Sequence, residues 1–180
     1  VGGQGTLLAS RILGNVLLSQ GYDVKVSEVH GMSQRGGSVV TYIKFGEKVY
    51  SPVIEKGQAD IIVSFEALEA ARWVSFLKKG GKLVMNTQEI EPMPVITGAA
   101  QYPANIVDTL KSLGEDVIAV DALSLAEQAG TSRAVNVVLM GVISHILDFG
   151  DKVWNDALEQ CVPAKVLEVN KKAFGLGRNA

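Results

Sequence analysis

Three short runs of β-forming residues, Ile61–Val63, Leu83–Met85 and Val117–Val120, recur along the chain with helical stretches between them. Apolar runs this short, bounded by polar and glycine residues, predict buried strands rather than helices. The intervening segments carry the helical period. Over Thr6–Gln20, Leu8, Ile12 and Val16 share a face with Ala9, Leu13 and Leu17, and Gly21 follows as a C-cap. A helix is expected over Ala67–Leu77, ended by Lys78-Lys79-Gly80-Gly81, where cations meet the negative helix end. Further helices are expected over Ala104–Leu113 and Leu123–Ala129. Ala134–Leu147 is apolar nearly all round and predicts a buried helix. The tail predicts two helices broken near Pro163.

Near the amino end, Tyr22–Val29 alternates apolar and polar residues and predicts a strand. Ser38–Pro52 predicts a hairpin, with Val39–Phe45 turning at Gly46-Glu47 and returning through Lys48–Ser51. Gln88–Pro103 holds three of the five prolines and predicts a long loop. Strands alternating with helices point to an α/β fold, a three-layer α/β/α sandwich with a mixed, mostly parallel sheet. No linker divides the 180 residues, so one domain over 1–180 is expected.

The ionisable residues exclude several chemistries. Seventeen basic residues against nineteen acidic ones leave a charge of −2 and no basic tract, which argues against nucleic-acid binding. The single cysteine, Cys161, cannot hold an iron–sulfur cluster, which takes about four thiolates. With two histidines in all, no zinc-site spacing occurs either. Asn136, Ser144 and His145 interrupt the most apolar stretch, which falls short of the ~20 residues that span a bilayer. No membrane association and a cytoplasmic location are the expectations. The chain opens on Val1-Gly2-Gly3-Gln4-Gly5, a turn that normally follows a buried strand, so an amino end trimmed of that strand is also expected.

Two segments are candidates for chemistry. Gly2, Gly3, Gln4, Gly5 and Thr6 open the first helix. Free backbone N–H groups at a helix start attract anions, and glycines let a phosphate or carboxylate approach. The spacing fails the G-x-G-x-x-G pattern, because the third position counted from Gly3 is Leu8. Glu28, at the end of the following strand, stands where a ribose-binding acid would sit and keeps a dinucleotide reading open. A tight strand–helix turn without a ligand is the competing reading. The second segment is His30-Gly31-Met32-Ser33-Gln34-Arg35-Gly36-Gly37. Its Arg35 fork suits a carboxylate or phosphate, and the glycines permit close packing against another chain. An ordinary polar connection with a solvated arginine is the alternative.

Weaker candidates are Ser64-Phe65-Glu66 and Asn86-Thr87, at the carboxyl ends of strands, where α/β sheets place ligands. Glu66 reads equally as a first-turn helix acid. Asn136 reads as a buried amide needing partners, His145 as a packed or surface-edge residue, and Cys161 as a small buried hydrophobe.

Taken together, VGGQGTLLASRIL, SEVHGMSQRGGSV and ADIIVSFEALEAAR resemble the gamma-type component of 2-oxoacid:ferredoxin oxidoreductases, with the nearest likeness in the small beta subunits of the indolepyruvate enzymes. The resemblance runs from Val1 to about Leu147 and includes NTQEIEPMPV and TSRAVNVVLMG. It implies the fold of domain III of pyruvate:ferredoxin oxidoreductase. It also implies an accessory role in oxidative decarboxylation of a 2-oxoacid (indolepyruvate-like, pyruvate or ketoisovalerate) to an acyl-CoA, with electrons passed to ferredoxin. Thiamine diphosphate, magnesium and iron–sulfur clusters would then belong to a large partner subunit, and none to this chain alone. Coenzyme A would meet the chain at the interface. By the same resemblance, Gly2, Gly3, Gln4 and Gly5 match the family's glycine loop, and His30, Gly31, Ser33, Arg35, Gly36 and Gly37 its second motif, with Gln34 beside them. Two other classes stay open: a stand-alone dinucleotide-binding oxidoreductase, and a non-catalytic interaction subunit.

Overall fold

The computed structural model describes residues 1–28 and 37–180. The three apolar runs form one parallel sheet, taken here in chain order with the other elements. Helix α1 (Thr6–Ser19) leads into β1 (Asp23–Glu28), which pairs antiparallel with β2 (Thr41–Gly46). Strands β3 (Ala59–Ser64), β4 (Leu77–Asn86) and β5 (Asp116–Val120) lie side by side in that order, all parallel. The helices are α2 (Ala67–Trp73), α3 (Met93–Ile96), α4 (Ile106–Ser112), α5 (Ala122–Ala129), α6 (Val135–Ile146), α7 (Asp151–Cys161) and α8 (Leu167–Arg178).

Strand periodicity explains the layers. Side chains alternate across a strand, so Ile61, Val63, Val84, Ile118 and Val120 face one side and pack with α1, α5, α6 and α8. Ile62, Leu83, Met85, Val117 and Ala119 face the other side and pack with α2 and α4. Helices therefore cover both faces, as the alternation of strands and helices predicts.

Two expectations are corrected. Lys48–Ser51 is not a strand: β1 takes the ladder edge of β2, with Val26 opposite Ile43 and Val24 opposite Phe45. The Asp23 carboxylate pins the displaced segment by accepting from the Val49 N–H at 2.9 Å. Lys78–Gly81 does not end a helix either. After α2 a short 3₁₀ turn over Val74–Phe76 already releases the chain, and β4 starts at Leu77. The glycines there serve the sheet: Gly80 has φ +79, the register slips between Ala59 and Ile61, and a Cβ on Gly81 would stand 2.9 Å from the Asp60 carbonyl.

Helix ends follow their local chemistry. After α1, Tyr22 N–H donates to Leu17 O at 3.3 Å and Gly21 N–H to Leu18 O at 3.0 Å, with Gly21 at φ +83. This Schellman closure fits the glycine expected there. Helix α5 starts on Asp121, whose carboxylate accepts from the Ser124 hydroxyl at 2.6 Å and its N–H at 3.0 Å. Those bonds, the hydroxyl first, hold the Asp121 carboxyl below its ordinary value of 3.8. A depressed folded-state pKa adds stability above the unfolded value, and that stability is lost as pH falls through the folded one. Asp121→Ala is expected to cost about 1 kcal/mol near neutrality, with a smaller penalty at a pH well below the ordinary value of 3.8. Urea unfolding at both pH values checks this, and an equal penalty at both would contradict it.

Helix α6 is buried over Val135–Ser144 and forms the centre of the core. It crosses α8 with almost no side chain between them. A Cβ on Gly141 would stand 2.8 Å from Arg178 N, and one on Gly177 would stand 2.7 Å from the Val138 carbonyl carbon. Trp154 on α7 is fully buried, and its ring lies 5.7 Å from that of Phe174 on α8. Among the described residues no helix is long and apolar enough to cross a membrane.

Candidate functional site

Buried polar side chains converge at the carboxyl ends of β3 and β4. The hub is the Phe65 carbonyl, one residue past β3. It accepts from Gln4 Nε2 at 3.0 Å and from Asn86 Nδ2 at 3.1 Å. Asn86, the last residue of β4, is fully buried, and its Oδ1 accepts from the Ala122 N–H at 3.1 Å at the start of α5. The Asn86 amide is therefore committed to holding strand ends and a helix start together.

The glycine turn lies against this hub. Gly3 and Gly5 have φ of +95 and +78, the left-handed region that favours glycine. Gly5 is the N-cap of α1, and no side chain among the described residues caps that end. Thr6 begins the helix. From the far side, Asn136 Nδ2 on α6 donates to the Gly5 carbonyl at 3.0 Å. The Gly2 N–H donates to the Gly37 carbonyl at 2.8 Å, which joins the two candidate segments. Of the second segment, His30, Gly31, Met32, Ser33, Gln34, Arg35 and Gly36 lie outside the described residues.

Beside the turn is a cavity of about 210 Å³ between Gly37-Ser38, helix α2 and Ile90–Met93. Glu66 forms its floor at 1% exposure. As the N-cap of α2 it accepts from Glu69 N–H at 2.8 Å, and it also accepts from Ile90 N–H at 3.1 Å and from the Tyr102 hydroxyl. Glu66 thus caps the helix rather than lying in its first turn, where the acid is Glu69, and it clasps the Ile90 loop as well. Burial first, and then the Glu66 carboxylate, push the Tyr102 phenol well above its usual range, so the hydroxyl stays a donor. Glu69 accepts from Ser38 Oγ and from Arg72 Nη1, both at 2.5 Å. Residue-by-residue reading of the chain passes over Tyr102, Glu69 and Ser38. The spacing of Glu66, Glu69 and Arg72, three apart along one helix, is the signal that marks Glu69 among them.

The larger hollow, an open groove of about 700 Å³ between α1, β1 and α7, carries less chemistry. Glu28 lines it, and the Glu28 carboxylate accepts from Ser10 Oγ at 2.8 Å, which turns it onto α1. Cys161 lines it too, but burial pushes the thiol pKa up and keeps the sulfur a poor nucleophile. His145 sits exposed at the end of α6. We place the candidate site at the sheet end, where buried amides and a carboxylate meet the glycine turn. One cysteine cannot supply a cluster, and among the described residues no three or more His, Cys, Asp or Glu gather as a metal site. A single thiolate does not fit an iron–sulfur cluster, which takes about four.

Comparison with known proteins agrees with this architecture. A family model described as pyruvate ferredoxin/flavodoxin oxidoreductase matches residues 1–180. Indolepyruvate oxidoreductase subunit IorB of Thermococcus kodakarensis is 43% identical over all of this chain and 92% of its own length. The same subunit of Pyrococcus horikoshii is 42% identical with the same coverage. Among solved structures, the gamma subunit of a keto/oxoacid ferredoxin oxidoreductase from Geobacter sulfurreducens has a TM-score of 0.70 at 21% identity, over 99% of this chain and 92% of that one. A 2-oxoglutarate:ferredoxin oxidoreductase from Magnetococcus marinus has a TM-score of 0.73 at 17% identity, with 99% of this chain matching 29% of that one.

Proposed function

The chain belongs to the pyruvate ferredoxin/flavodoxin oxidoreductase family, and on that premise we propose that it is the accessory subunit of a thiamine-dependent 2-oxoacid:ferredoxin oxidoreductase acting on an indolepyruvate-like acid. In that reaction the 2-oxoacid loses CO₂, two electrons pass to ferredoxin, and the acyl group passes to the thiol of coenzyme A. This chain is one domain, 1–180, of a cytoplasmic complex. The thiamine diphosphate, its magnesium and the clusters sit on a larger partner. Its own contribution is to bind and orient. Gly2, Gly3, Gln4, Gly5 and Thr6 offer main-chain N–H groups to an anionic part of coenzyme A. The His30–Gly37 segment (His30, Gly31, Ser33, Gln34, Arg35, Gly36, Gly37) meets the partner, with Arg35 as its polar anchor.

The observation that carries this reading is the junction of both glycine segments at the carboxyl end of a parallel sheet, through the Gly2–Gly37 bond. Ligands of open α/β sheets bind at that end. The likeness to indolepyruvate oxidoreductase subunits supports the choice of substrate class.

Reconstitution tests it. The chain purified alone should be colourless, free of iron and inactive, and 2-oxoacid-dependent dye reduction should appear only when the large partner is added. Stoichiometric iron in the lone chain, or full activity from the partner without it, would refute the proposal.

A further inference from the structure

Asn136 reads from sequence as a buried amide in need of partners, and the partner it finds is the glycine turn. It is 3% exposed on α6, 131 residues along the chain from Gly5. Its Oδ1 accepts from the Val137 N–H at 3.0 Å, which orients the amide so that Nδ2 donates to Gly5. The Gly5 carbonyl already accepts from Leu8 N–H at 3.1 Å and Ala9 N–H at 3.2 Å in the first turn of α1. A carbonyl oxygen has two lone pairs, so the helix start is satisfied without Asn136, and the extra donor does something else. The contact is also steric: a Cβ on Gly5 would stand 2.5 Å from Nδ2.

On the opposite side Gln4 is tied by one end only. Its Nε2 donates to Phe65 O, and its Oε1 is buried with no partner among the described residues. A buried acceptor without a donor is costly. Gln4 thus ties the turn to Phe65 at one end only, and Asn136 adds a second side-chain tie, at Gly5.

We propose that Asn136 is a positioning residue: it sets the height of the Gly3–Gly5 main chain over the sheet end and so tunes the affinity of the turn for coenzyme A. This inference rests on the reading above that coenzyme A approaches the glycine turn. Main-chain N–H groups at a helix start hold an anion by pointing at it, so a shift of the turn weakens that binding.

The test uses the assembled enzyme. Asn136→Asp is nearly isosteric and sets an oxygen against the Gly5 carbonyl, and Asn136→Ala removes the contact without adding charge. Both are expected to raise the KM for coenzyme A about tenfold, the change that accompanies ~1.4 kcal/mol of lost binding. The kcat at saturating coenzyme A and the KM for the 2-oxoacid should stay within about twofold, a split that a merely structural role would not produce. Gly3→Val separates the two levels of the argument. If it leaves the coenzyme A KM unchanged, no ligand approaches the turn, and both readings fall. If it raises that KM while both Asn136 variants match the wild type, the function stands and the positioning role is wrong. A fall in kcat equal to the fall in kcat/KM, or failure of both Asn136 variants to assemble, makes Asn136 a structural residue and overturns the inference.

Discussion

Gly177→Ala is expected to destabilise the chain by about 4 kcal/mol, at the severe end of single substitutions. Helix propensity alone predicts the opposite sign, since alanine exceeds glycine by ~1 kcal/mol in a helix interior. Packing decides. The added methyl would enter the α6 backbone, 2.7 Å from the Val138 carbonyl carbon and 3.0 Å from its Cα. Overpacking that shifts side chains and backbone typically costs ~1–3 kcal/mol and occasionally more, and here every close atom is main chain. The two helices must separate, and the loss extends to Trp154 and Phe174 packed beside them. Gly175 is the internal control, because it lies on the same helix with nothing within 4 Å of its added Cβ. Gly175→Ala should be neutral or gain up to ~1 kcal/mol. For a domain of this size the Gly177 variant should melt roughly 10 °C lower, at ~2–4 °C per kcal/mol. Equal melting of the two variants would show that the crossing is looser than described.

Glu66→Ala should cost about 3 kcal/mol. The carboxylate is buried and accepts from three donors, Glu69 N–H, Ile90 N–H and the Tyr102 hydroxyl. Leaving a buried donor unsatisfied costs ~1–3 kcal/mol, and the main-chain donors cannot be removed with the acceptor. Tyr102→Phe removes the one donor that can be deleted. The double variant should therefore be less destabilised than the sum of the singles, by about 1 kcal/mol. Strict additivity in urea unfolding would mean that the Tyr102–Glu66 bond carries no net weight.

The layers of the fold were legible because burial acts on single strands. Ile61–Val63, Leu83–Met85 and Val117–Val120 had to be covered on both faces, and Ala134–Leu147 had to be central. The glycine turn was legible for a local reason: φ near +80 at a helix start narrows the residue choice to glycine. What sequence could not supply was partner choice across long separations. Lys48–Ser51 has strand composition, yet β2 pairs with β1, because ladder edges are filled by tertiary competition rather than by propensity. Lys78–Gly81 carries helix-exit composition but lies in β4, since a glycine that admits a neighbouring strand and one that ends a helix look alike in sequence. Asn136 could be recognised as needing a partner, but only the fold reveals that the partner is Gly5.

The β1–β2 ribbon shares no ladder with the three-stranded sheet among the described residues. No residue of either ribbon strand is fully buried, whereas the last four of β4 all are. In hydrogen-exchange terms the ribbon amides are therefore expected to open below the free energy of global unfolding, as a unit less protected than the sheet. The glycine turn straddles the boundary. One bond, from Gly2 to Gly37, ties it toward the ribbon side, and two, from Gln4 to Phe65 and from Asn136 to Gly5, tie it to the protected unit. Sub-global opening of the ribbon can therefore proceed while the turn stays registered on the sheet end.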